Sequence, residues 1–319
     1  MQTRHIQTDR LNQHILEAGS GPLVLLIHGF PELGISWRAQ VEALAGAGYH
    51  AVAPDMRGYG GTDKPAARSD YGVLDLVGDM VDLVRALGET RCVVVGHDWG
   101  ASVAWHCALT RPDLFTAVAA LSVPFQPRRS KGPPTAAMAA ISKRLGVGDL
   151  YISRFQPDDA HLEFEAEPAT ALRKMFYGYD GATPDGRQST GFLPEGVGLV
   201  ASIADDAPLP PWMSEAHFEE YVAAFVAGGF KGPLDWYRCL DLNWARTAWL
   251  QDARIRVPAA FMVGERDPVR HYAGPAEAAL KDWLLDLRMQ KVVPGAGHWL
   301  QQERPDEVNA FLLDFLGGL

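Results

Sequence analysis

Apolar residues in this chain gather into short unbroken runs. Leu23 to Ile27 is five apolar residues in a row, and similar runs occupy Tyr49 to Asp55, Cys92 to Gly96, Ala117 to Val123, Ala259 to Gly264 and Met289 to Val293. Runs of this length without a polar alternation predict strands covered on both faces. Segments of helical period lie between them. In Leu74 to Leu87, the apolar residues Leu74, Val77, Met80, Val81, Val84 and Leu87 share one face, and Asp75, Asp79, Asp82 and Arg85 fall on the other. Strands alternating with helices predict an α/β fold: a mostly parallel central sheet with helices on both faces.

The alternation stops near Gln126. From there to about Trp244, helical patches are broken by the Pro- and Gly-rich stretches "SKGPP", "GATPDG" and "DDAPLPP", and aromatic residues are frequent. Strand patterning returns at Ala259. The expected organisation is one core in two parts, 1–130 and 245–319, with an inserted α-helical lid over 131–244. No internal repeat or low-complexity tract interrupts this plan.

Composition narrows the function. The 319 residues are 47% hydrophobic and 21% charged, as in an ordinary globular enzyme. A net charge of −10 argues against nucleic acid or an anionic membrane as partner. The short basic run Arg128, Arg129, Lys131 is expected to be a solvated loop. The N-terminal stretch lacks the apolar core of a signal peptide, and no apolar run is long enough for a bilayer span, so a cytoplasmic location is expected. Cys92, Cys107 and Cys239 form no C-x-x-C pair and read as reduced, packed side chains. Neither they nor the scattered histidines show zinc-ligand spacing, so metal is not expected.

The stretch "VVVGHDWGAS", Val93 to Ser102, has the outline of a strand, a tight turn and a helix, with Asp98 at the tip. It matches the G-x-nucleophile-x-G elbow of α/β-hydrolases, with Asp in place of Ser. A carboxylate there could equally cap the following helix. Two later segments favour chemistry. Asp267 in "FMVGERDPV" follows the Ala259–Gly264 run, and His298 in "VPGAGHWLQQERPDEV" lies between the last strand and the last helix. The order nucleophile, acid, His is the one this architecture requires. The loop "HGFPE", His28 to Glu32, is placed to supply a backbone N–H from Phe30, with a second from Trp99, as an oxyanion hole. His28 is expected to hold that loop, and Glu32 either to support the site or to lie at the surface.

An aspartate is already anionic at neutral pH and needs no base to attack. Its natural target is an sp³ carbon bearing a leaving group, which gives an alkyl ester on Asp98. His298, oriented by Asp267, is then free to activate the water that hydrolyses the ester. The leaving group distinguishes two reactions. A halide needs N–H donors, whereas an epoxide oxygen leaves as an alkoxide and needs an acid, for which a phenol with a pKa of about 10 is suited. Tyr151 and Tyr237, both in the insertion, are the candidates.

With these residues in place, the chain resembles the epoxide hydrolases of the α/β-hydrolase fold. The motifs are "HGFPE", "DMRGYGGTDKP", "GHDWGA", "FKGPLDWYR", "GERDPV" and "GAGHW", and the likeness runs from about Leu23 to the C-terminus. "HDWG" is shared with haloalkane dehalogenases, which use the same Asp nucleophile; "GPLDWYR" and "HGFP" favour the epoxide hydrolases. The resemblance implies Asp98 as nucleophile, His298 as base and Asp267 as its acid partner. It implies Tyr237 and Tyr151 as epoxide-binding tyrosines, with Tyr177, Tyr179 and Tyr221 as substitutes for Tyr151. It also implies conversion of a small epoxide and water to a vicinal diol, without cofactor, by a monomer or homodimer. Phe30, Trp99, Trp236 and Trp299 would form an aromatic wall against the substrate, Trp236 and Trp299 as binding residues. Lys131 to Arg144 and Gly178 to Ala207 match no family pattern and are expected to shape the access tunnel.

Overall fold

The computed structural model describes residues 1–128, 131–146 and 148–319. Its centre is an eight-stranded sheet: β1 (Gln2–Gln7), β2 (Asn12–Ala18), β3 (Leu23–Ile27), β4 (His50–Pro54), β5 (Cys92–His97), β6 (Phe115–Leu121), β7 (Ile255–Gly264) and β8 (Leu284–Val293). The spatial order is β1-β2-β4-β3-β5-β6-β7-β8, and β2 runs antiparallel to both its neighbours while the others are parallel. Successive residues of β3 alternate between two packed layers. Leu23, Leu25 and Ile27 join one core, and Val24 and Leu26 the other. That is why these strands read as continuous apolar runs. Helix α1 (Arg38–Gly46) and the C-terminal helix Pro305–Gly317 cover one face, and α2 (Val73–Ala86) and α3 (Trp99–Thr110) the other.

All six expected strands are present, Leu23–Ile27 with the expected ends and the others with shifted ones. β6 stops at Leu121 rather than Val123, because Ser122 adopts a positive φ of 68° and turns the chain. β7 and β8 begin earlier than their apolar runs, since their first halves are partly exposed and carry charge. β1 and β2 had no apolar run to announce them. Only Ile6 of β1 is buried, and β2 buries Gln13 beside its apolar residues.

Two side-chain expectations are corrected. Asp79 is fully buried, not on a solvated helix face. It receives two bonds from Arg57, Nε at 2.7 Å and Nη2 at 2.5 Å, and the paired guanidinium makes burial tolerable. Arg128 is half-buried, donating to the Trp244 carbonyl and the Gln251 Oε1 while stacking on the Trp244 ring, so it ties segments together. Lys131 is exposed, and Arg129 lies outside the described residues.

Between β6 and β7 the described chain makes helices and one pair of two-residue strands, and contributes nothing to the main sheet. Among the described residues, no helix is long and apolar enough to cross a membrane. Cys92, Cys107 and Cys239 are buried and unbridged.

Candidate active site

The carboxyl ends of β3, β5 and β7 and the loop after β8 converge on one point, where open α/β sheets hold their ligands. Asp98 stands at the turn from β5 into α3, with φ 53° and ψ −120°. A non-glycine residue in this region is strained, which marks a position held for its side chain. The turn is tight enough that a Cβ on Gly96 would collide with the Gly100 carbonyl, and one on Gly100 with the Ile27 carbonyl. Asp98 caps nothing with its side chain. Its Oδ1 accepts the Phe30 N–H at 2.9 Å, and its Oδ2 lies 3.5 Å from His298 Nε2. Trp99 is the first residue of α3, so its N–H has no intrahelical acceptor and is available beside Asp98.

His298 Nδ1 lies 3.1 and 3.2 Å from the two Asp267 oxygens. Asp267 is itself fixed by the Val269 N–H at 2.9 Å. Desolvation disfavours every charge here, yet the partners prevail. His298 is held well above the ordinary imidazole range: burial opposes this, but the charge and hydrogen bond of Asp267, with those of Asp98, outweigh it. Asp98 is lowered in the same way, burial being overcome by the His298 hydrogen bond and charge and by the Phe30 N–H.

Behind this set lies a buried polar layer. The His298 carbonyl accepts from His97 Nε2 at 2.7 Å and from Ser122 Oγ at 3.0 Å. His97 Nδ1 meets Glu32 Oε2 at 2.6 Å, and Gln301 and Gln302 donate to the other Glu32 oxygen. Glu32 is therefore wholly buried rather than on a surface loop. His28 donates from Nδ1 to the Gly29 carbonyl and accepts the Met56 N–H at Nε2, which pins the loop bearing Phe30. Glu303, absent from the sequence reading, collects the N–H groups of Gly297 and Trp299 on either side of His298, and that of Gly181. The Glu in "HWLQQE" was its only trace in the sequence.

Asp98 opens into a cavity of about 240 Å³ also lined by Trp99, Tyr151, Tyr237 and Tyr272. Tyr151 begins the short helix Tyr151–Arg154 and Tyr237 lies in the helix Lys231–Arg238, their rings 6.1 Å apart. Burial, first of all, raises both phenols well above their ordinary pKa, so both are protonated at neutral pH. Tyr177 instead stacks under Arg187, Tyr221 bonds Gln302, and Tyr179 offers its backbone carbonyl to the His298 N–H; none of the three lines the cavity. Tyr272 was missed. It lies five residues after Asp267, and its hydroxyl acts by hydrogen bonding to restrain the burial-driven rise of Tyr151. An isolated Tyr in a helix gives no signal of that position.

The expected aromatic wall needs correction. Neither Trp236 nor Trp299 lines the cavity, because each indole N–H is committed to a backbone carbonyl, of Arg57 and of Phe176 respectively. Phe30 is buried against Tyr237 and Phe155. Of the four, only Trp99 faces the cavity, joined there by Trp105 and Phe125. In the stretch Lys131 to Arg144, Pro134 and Met138 line the cavity. Gly178 to Ala207 does not: it packs behind the His298 loop through Tyr179 and Gly181.

Known proteins share this fold. Residues 22–305 match the family of the α/β hydrolase fold. Epoxide hydrolase A of Mycobacterium tuberculosis is 43% identical over 99% of this chain and 97% of its own length. The chain belongs to the epoxide hydrolases. Solved epoxide hydrolases superpose along nearly the whole length. One from an endophytic Streptomyces has a TM-score of 0.94 at 41% identity, covering 99% of this chain and 95% of its own. Another, from Vigna radiata, has a TM-score of 0.89 at 36% identity, covering 100% and 98%. Membership makes this chain an enzyme of the α/β-hydrolase fold with a mostly parallel sheet.

Proposed function

We propose that this epoxide hydrolase opens its substrate through a covalent ester on Asp98. The observation that carries this is the placing of a strained, anionic Asp98 in one cavity with the two protonated phenols Tyr151 and Tyr237. Asp98 Oδ2, the oxygen not engaged by Phe30, attacks an epoxide carbon. The C–O bond of the ring breaks, and a tyrosine hydroxyl transfers its proton to the departing oxygen. The phenols thus supply what an epoxide requires and a halide does not. Tyr272 acts on Tyr151, donating to its oxygen as it loses the proton.

Hydrolysis follows at the ester carbonyl. His298, held by Asp267, takes a proton from water, and the oxygen attacks Cγ of Asp98. The negative charge forms on Oδ1, which already accepts the Phe30 N–H, with the Trp99 N–H as second donor. Collapse releases a vicinal diol, whose oxygen takes the His298 proton, and the remaining proton of the added water returns to the tyrosinate, restoring both the Asp98 carboxylate and the phenol. The lid carrying the phenols is taken as 131–244, between core parts 1–130 and 245–319. His28, Glu32 and His97 hold the two loops in register and touch no substrate.

Repeated turnover in isotopically heavy water tests the scheme. Heavy oxygen accumulates in the Asp98 carboxylate, read by mass analysis of its peptide. Diol formation without label in Asp98 would mean direct attack of water on the epoxide and would overturn the reading. Halide release from haloalkanes with no diol from any epoxide would point to dehalogenation.

A further inference from the structure

One stripe of α3 looks into the cavity. Trp99, Ser102, His106 and Leu109 recur at spacings of three and four, as one helix face requires. All four line the cavity and are only partly buried, whereas Gly100, Ala101, Val103, Ala104, Cys107 and Ala108 are packed into the core. The openness of His106 is therefore openness to the cavity. Its Nδ1 lies 2.7 Å from the Ser102 carbonyl oxygen. A carbonyl only accepts, so Nδ1 carries the proton. Burial lowers the imidazole pKa, the Ser102 bond opposing it, and the ring is neutral at pH 7. Nε2 then presents a lone pair, and among the described residues no donor is bonded to it. Of the other polar side chains that line the cavity, Asn243 Oδ1 accepts the Val73 N–H and Thr247 Oγ1 donates to the Asn243 carbonyl, while Ser102 Oγ and the Gln126 amide bond no described residue. Trp105, Phe125 and Met138 around them are apolar.

An acceptor held in a single tautomer inside an apolar channel is matched by a donor on the ligand. We propose that His106 Nε2 is a second recognition point of the channel, and that the site takes elongated epoxides bearing a hydroxyl or amide N–H remote from the ring. His106 follows Asp98 by eight residues, about 12 Å along the helix axis, so a donor next to the epoxide cannot reach it. The inference rests on the reaction assigned above but can fail independently of it.

The test uses chain-matched 1,2-epoxyalkanes with a hydroxyl moved carbon by carbon from the ring to the far end, against the unsubstituted chain. The expected result is a kcat/KM about five- to tenfold higher when the hydroxyl is remote, the worth of one net hydrogen bond, and no gain when it is near. His106→Phe abolishes the gain, and His106→Gln, which keeps an acceptor oxygen, restores part of it. A flat series in the wild-type enzyme, or a gain that survives in His106→Phe, overturns the proposal. The corresponding ring-opened diols, titrated calorimetrically, report the same preference as affinity without turnover. Absence of epoxide turnover with the preference intact would strike the reaction scheme alone.

Discussion

The two walls of the cavity are held by different physics. On the sheet side, every group assigned to the proposed reaction is bound by directional hydrogen bonds: Asp98 by the Phe30 N–H, His298 by Asp267 at its ring and by His97 and Ser122 at its carbonyl, and Asp267 by the Val269 N–H. On the lid side, position comes mainly from aromatic packing. The Tyr237 ring stands edge-on to Phe155 at 4.9 Å, Trp99 at 5.2 Å and Phe30 at 5.7 Å, and Tyr151 meets Phe155 at 5.3 Å. Each such contact adds about 0.5–1.5 kcal/mol beyond area burial and tolerates small shifts. In the proposed reaction the attack geometry is therefore rigid, built into strand ends, while the phenol wall can be remodelled without moving Asp98.

The largest effects should come from the rigid wall. Asp98→Ala removes the ester-forming oxygen, and steady-state turnover should fall by about 10⁴-fold or more. A residual rate above one-hundredth of wild type would show that water can do without Asp98. His298→Gln should leave attack possible but stop hydrolysis. Mass spectrometry of the intact protein should then find the substrate's mass retained on the enzyme, and an enzyme free of adduct would contradict the division of roles.

On the lid wall, Tyr237→Phe and Tyr151→Phe should each slow single-turnover ester formation by about 10²-fold, the scale of general acid catalysis, with more lost in the double variant. Full activity of that double variant would remove the phenols from the mechanism. The pH dependence separates the walls again. Esterified Asp98 has lost its negative charge, and with it one of the causes that raise the His298 pKa. The rate of ester hydrolysis should therefore rise with pH as His298 becomes neutral, with a midpoint below the His298 pKa of the free enzyme. Transient kinetics of hydrolysis against NMR titration of free His298 gives both values, and the opposite order would refute the coupling.

The smallest effects should come from residues that touch the walls from behind. Tyr272→Phe should slow ester formation only several-fold, with hydrolysis unchanged. Trp236→Phe loses the bond to the Arg57 carbonyl and should cost about 1–3 kcal/mol of stability in denaturant unfolding. Its effect on KM should be slight, since the ring does not face the cavity.

Legibility in the sequence followed the kind of signal. Strands buried on both faces were visible as apolar runs, and the order Asp98, Asp267, His298 was visible because turns after strands are short. β1 and β2 were not: β1 is an edge strand that buries one apolar residue, and β2 buries the polar Gln13 and Glu17 beside Ile15 and Leu16, so neither leaves a continuous apolar run. Asp79 and Glu32 were misplaced or undecided because the sequence shows a carboxylate but not its partner: Arg57 and His97 arrive from 22 and 65 residues away. Trp236 and Trp299 looked like substrate walls because an aromatic residue beside a motif has the same sequence whichever way its ring points.

What the sequence by itself determined was the alternation of strands and helices, the insertion between the sheet's two parts, and the presence of a carboxylate where a hydrolase elbow has its nucleophile. These depend on local periodicity and on turn geometry, which act over a few residues. The tertiary structure alone decided which phenols share a cavity with Asp98, that Tyr272 joins them, and that His106 lines it with one ring nitrogen bonded to no described residue. Those facts depend on how side chains from distant segments pack against one another, and packing is a property of the folded whole.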